Sequence, residues 1–214
     1  EGEPTIETRD AGTEDEISAV TEAETSGQAS VLGEPGVSDP VPPQVTAETL
    51  FIEMPETFYF LRGAGAWQTE LHLADDGSFT GRFEDADMGS YDEKRYPMGT
   101  VYVCDFSGVF VNPVQVDDYT WSVHVESLTY EEPGTETLED GYLYITSGPY
   151  GLDNVDEVLV YLPGYPVAEL SEEVFSWLRS GKEFWNGEGP DTLPFYALNN
   201  VNEQMGFFAP NEWP

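Results

Sequence analysis

Basic residues are scarce in this 214-residue chain: 7 Lys and Arg face 42 Asp and Glu, for a formal net charge of −35. Without cations to displace counterions from phosphates, the chain is excluded as a nucleic-acid binder, and anionic membrane surfaces are disfavoured for the same reason. Cysteine occurs once, as Cys104, which rules out an intrachain disulfide framework and an all-cysteine zinc site. No run of 18 apolar residues exists, so no segment of this sequence reads as a transmembrane helix. Neither a G-x-S-x-G nor a G-x-x-x-x-G-K string is present, so the common hydrolase and phosphate-loop signatures are missing too.

Aromatic residues are absent from the first 50 positions, while all 29 lie at Phe51 or later. Residues 1–46 hold 11 acids, one base and mostly Thr, Ser, Ala, Gly and Pro. Such a segment buries too little apolar area to offset backbone ordering, roughly 1–2 kcal/mol per residue. It reads as a disordered acidic linker or stalk, stiffened at its exit by Pro40, Pro42 and Pro43. Residues 47–214 read as one domain with ample aromatic content for a core, and still carry 31 acids against 6 bases. The sequence opens on linker-like residues without an initiator Met, as a chain trimmed of a signal peptide would.

The domain is dominated by period-two patterns. Trp67, Thr69, Leu71 and Leu73 alternate with polar residues, and so do Phe79, Gly81 and Phe83 after the turn Ala74-Asp75-Asp76-Gly77-Ser78. Asp-Gly between two alternating runs marks a β-hairpin. Further strands are expected at Thr57–Leu61, Thr100–Val111, Tyr119–Leu128, Tyr142–Thr146, Glu157–Leu162, Phe195–Leu198 and Gly206–Ala209. One helix is expected from the N-cap Ser171 through Leu178, ending near Arg179 and Gly181. Seven to nine strands with one short helix predict a mainly β fold, an antiparallel β-barrel-like (lipocalin-like) domain or a strongly curved sheet.

Several blocks of this sequence resemble a group of uncharacterised secreted lipoproteins of Gram-positive gut bacteria. They are GAWQTELHLADDGSFTGRFEDADMG (65–89), YPMGTVYVCDFSGVF (96–110), VDDYTW (116–121), SGPYGL (147–152), VYLPGYPV (160–167) and LPFYALNNVNEQMGF (193–207). The resemblance implies an extracellular, envelope-tethered protein with a lipidated Cys upstream of Glu1; it supplies a location and no chemistry. Gly65-Ala66-Trp67 also has the G-x-W form seen in lipocalin-type barrels, where the Trp closes one barrel end.

If the barrel holds a small apolar or sugar ligand, inward aromatics would line the site: Trp67, Phe79, Phe83, Tyr102 and Trp121. Tyr142, Tyr144, Tyr150, Tyr161, Tyr165 and Trp185, in or near loops, suit sugar stacking or a protein partner equally. Glu84, Asp85 and Asp87 cluster after the hairpin; oxygen-rich loops of this kind suit calcium, the one cofactor considered, although no EF-hand pattern is present. His72 and His124 lie on wet strand faces beside Glu70 and Glu126, and would form a His/Glu metal site if their strands paired. Asp105 is the only acid expected within a strand between apolar neighbours, the place for a raised carboxyl pKa in a glycan-acting hydrolase. Cys104 shares a face with Tyr102 and Phe106 and reads as a small buried hydrophobe. The favoured reading is a non-enzymatic binding domain for a small molecule, a glycan or a protein; the alternatives are a carboxylate hydrolase and a structural surface protein with calcium-stiffened loops.

Overall fold

A computed structural model describes residues 44–61, 67–180 and 189–210. The expected linker, save for its last three positions, lies outside the described residues, as do Gly65, Ala66, Gly181 and Trp185. The chain divides into two units, Glu1–Asp39 and Pro40–Pro214, and all that follows concerns the second.

The expected hairpin is present: β2 (Trp67–Leu73) pairs antiparallel with β3 (Ser78–Asp87), Leu73 opposite Phe79. Its turn follows from Gly77, which takes φ 84, and from Asp76, whose Oδ1 accepts from the Ser78 amide (2.9 Å) and hydroxyl (2.6 Å). Around this hairpin run β1 (Thr57–Leu61), β4 (Gly99–Gln115), β5 (Thr120–Tyr130), β8 (Glu157–Tyr161), β9 (Ala197–Asn200) and β10 (Met205–Phe208). Each strand pairs antiparallel with the next and β10 returns to β1, so eight strands close an up-and-down barrel. The closing seam is short, its register fixed by Tyr59 opposite Phe208. β6 (Glu136–Glu139) and β7 (Tyr142–Thr146) form a second hairpin, inserted between β5 and β8 and attached as a wing by parallel pairing of β7 with the first half of β4. β6 is not among the expected strands, and β9 lies two residues beyond its expected span.

Alternation sends one side of every strand inward. Phe58, Phe60, Leu71, Phe79, Phe83, Cys104, Phe106, Phe110, Trp121, Val160 and Phe207 form one buried cluster inside the barrel. Two glycines make room for two rings: Phe79 lies over Gly108 and Phe106 over Gly81, directly across the β3–β4 pair. The 17-residue β4 stays on the curved wall by bulging between Val111 and Val114, where Asn112 takes φ 56.

Among the described residues, two short α-helices are present where one was expected. α2 (Glu172–Leu178) starts as predicted: Ser171 Oγ accepts from the Val174 amide at 3.2 Å. Its Val174 and Leu178 bury against Phe195, Ala197 and Phe208 in a smaller apolar layer outside the barrel, and Leu178 seats on Gly206. α1 (Leu50–Glu53) is a single turn whose Leu50 is fully buried in the barrel core, joined there by Met54.

Candidate functional site: an open groove on the outer barrel wall

The five residues expected to line an interior ligand site do come together, as core. Phe79, Phe83 and Trp121 are buried, and Trp67 and Tyr102 are half-buried against the same cluster. Phe79 meets Phe110 at 4.4 Å and Phe106 at 6.4 Å between ring centroids. Toward one end of the barrel, Phe60 stands 4.6 Å from Trp177, 5.4 Å from Trp67, 5.3 Å from Phe207 and 5.9 Å from Tyr150, while Phe83 stands 5.5 Å from Tyr150. These separations are those of packed aromatic pairs. One polar atom in this cluster is unsatisfied: the buried Trp121 indole N–H has no hydrogen-bond partner. Of the other tyrosines singled out, Tyr161 and Tyr165 meet as a tilted pair, 4.5 Å between ring centroids, and Tyr142 and Tyr144 lie 6.1 Å apart along β7.

A roomy concavity lies on the outside instead. It is an open groove of about 870 Å³ running from Met54 and Glu56 past the β2–β3 turn and over β3, β4 and β5. Its polar lining includes Glu56, His72, Asp75, Asp76, Ser78, Thr80, Ser107, Ser127 and Thr129. Strand register brings four of these into line: His72 lies opposite Thr80, Thr80 opposite Ser107, and Ser107 opposite Thr129. Adjacent strands are about 4.8 Å apart, so the row is a polar ladder crossing four strands. Among the described residues, the lining contains no Lys or Arg. Asp76 at the rim is held below the usual carboxylate range by its hydrogen bonds from Ser78. His72 is held from two sides, with Nε2 3.3 Å from Glu70 and Nδ1 3.2 Å from the Thr57 hydroxyl.

Other expected groupings are not assembled. His72 and His124 cannot meet by strand pairing, because β3 and β4 separate β2 from β5; His124 sits 3.9 Å from Asp156 instead. Strand alternation sets Glu84 apart from Asp85 and Asp87: Glu84 lies 3.4 Å from Arg82, while Asp87 Oδ1 accepts from the amides of Gly89 (2.9 Å) and Ser90 (3.2 Å). Among the described residues, no three His, Cys, Asp or Glu are grouped to hold a metal ion. Asp105 is no buried acid either. It points outward, its side chain 74 % exposed, and takes both Oδ atoms to Arg82 Nη1 at 2.8 and 2.9 Å. Cys104 faces inward as expected, and burial pushes its thiol up to about 11, aided by Asp105 and Asp153.

No match to this chain was found among protein-family models, curated proteins or solved structures. Functional inference therefore rests on the site itself. The groove was missed at the sequence level because its residues are ordinary wet-face Ser and Thr; only the register of four strands aligns them.

Proposed function

We propose that this domain is a non-enzymatic extracellular binding module, tethered to a cell envelope, that takes a neutral glycan in its outer groove. The observation carrying the ligand class is the ladder His72–Thr80–Ser107–Thr129. Hydroxyls both donate and accept, so a row of them matches a ligand that is itself a row of hydroxyls. The absence of Lys and Arg from the lining, together with Glu56, Asp75 and Asp76, disfavours phosphate and carboxylate ligands. The extended, open shape suits a chain-like ligand better than a small apolar one, which needs an enclosed pocket. Placement outside the cell is supported by the sequence resemblance and by the high acid excess. The lipid anchor upstream of Glu1 belongs to the same reading.

Titrating the full chain with a panel of neutral oligosaccharides, followed residue by residue through amide shifts, tests this. Shifts should concentrate at His72, Thr80, Ser107 and Thr129. The double substitution Thr80→Val with Ser107→Ala should weaken binding about threefold to tenfold per hydrogen bond lost. Unchanged affinity in that variant, or shifts confined to core amides, would overturn the reading.

A further inference from the structure

Closing a barrel removes sheet edges, because each strand then has two neighbours. The β6–β7 wing restores one: among the described residues, β6 pairs with β7 alone. The phase of that pairing is readable. Asp140 and Gly141 both take positive φ (48° and 83°), a two-residue type I′ turn, so Glu139 and Tyr142 exchange hydrogen bonds with each other. The far end agrees, with Thr146 N donating to Thr135 O at 3.0 Å. Thr137 therefore bonds to Tyr144, whereas the backbone N–H and C=O of Glu136 and Leu138 point away from the wing. Four backbone groups thus stand on an open edge, in residues that are exposed throughout.

We propose that this edge accepts an extended cationic segment of a partner protein as an added strand. Charge selects the occupant. Residues 130–141 hold Glu131, Glu132, Glu136, Glu139 and Asp140 with no base, on a chain of net charge −35. A second copy is a poor fit, because antiparallel edge pairing would lay two such base-free acidic segments, each carrying Glu136 and Glu139, side by side. A cationic strand reverses that sign. Register makes the motif specific: Lys or Arg opposite Glu139 and Glu136 lie three residues apart, with an apolar residue opposite Leu138, which is 49 % exposed. The complementary antiparallel sequence is Lys-Val-Thr-Lys. This site shares no residue with the outer groove and stands independently of the glycan reading.

The test is an amide-resolved titration of the full chain with a capped peptide, Thr-Lys-Val-Thr-Lys-Thr, against the same peptide with Pro in place of Val. Pro keeps both cations and removes the N–H that bonds to the Leu138 carbonyl, and the protein itself is unaltered. Saturable shifts at Glu136 and Leu138, about tenfold weaker binding of the Pro peptide, and weakening by Glu136→Gln with Glu139→Gln support the proposal. Equal binding of the two peptides shows charge attraction without strand addition and overturns it. So do shifts that leave β6 unmoved.

Discussion

Cys104 shows how position along a strand decides a residue's chemistry. It alternates inward from the exposed Asp105, and burial raises its thiol from an ordinary 9.0 to about 11. The unfolded thiol loses its proton near pH 9 and the folded one near pH 11. Between these values the folded state holds the extra proton, so its contribution is intact below pH 9 and is lost as the pH rises toward 11. Tyr165, raised to about 12 by burial beside Tyr161, Glu169 and Asp117, extends the decline upward. Urea unfolding at pH 8.5 and 10.5 should therefore show lower stability at the higher pH, with a smaller difference in Cys104→Ala. An identical difference in both proteins would remove the thiol from the account. Asp105 teaches the converse lesson. Apolar neighbours in sequence suggested burial, but a strand's neighbours face the other way, and Arg82 meets the carboxylate in solvent.

At the scale of elements, legibility followed the apolar pattern. The β2–β3 hairpin could be read almost residue by residue, because one face is core, the other is wet, and Asp-Gly marks the turn. β6 had no such mark: Glu136, Thr137, Leu138 and Glu139 are all exposed, so nothing alternates. β9 was displaced because Phe195, read as strand, belongs to the layer beneath α2, while the strand proper ends in Asn199 and Asn200. Asn200 tolerates burial by donating to the carbonyls of Gly151 (3.2 Å) and Asp153 (2.8 Å), a long-range arrangement invisible in local sequence. α1 is too short for any periodicity to register. α2 was legible through its cap, and Ser171 also bonds to Gln204 at 2.9 Å, linking the helix start to the β9–β10 turn. Ser171→Ala should cost about 1 kcal/mol, measured as a lower urea midpoint with an unchanged slope. A midpoint equal to that of the parent would mean the cap contributes nothing.

For the molecule as a whole, charge opposes compactness. With 42 acids and 7 bases, the folded surface is repulsive, and among the described residues the ion pairs of a permanent cation are both made by Arg82, with Glu84 and Asp105. Added salt shortens the screening length from about 30 Å at 0.01 M to about 8 Å at 0.15 M. The melting temperature should accordingly climb between these concentrations, equally in NaCl and KCl; a flat or falling response would show that repulsion is not what limits stability.

The short seam between β1 and β10 carries a further consequence, one of timing. The barrel joins residues 57–61 to residues 205–208, so its last side is supplied by its last strand, β10. During synthesis β1 can pair with β2, and the meander can grow strand by strand, but the cylinder stays open until the final turn of sheet has left the ribosome. Long-range closure of this kind is also slow once the chain is complete. A barrel built this way remains threadable until β10 has emerged.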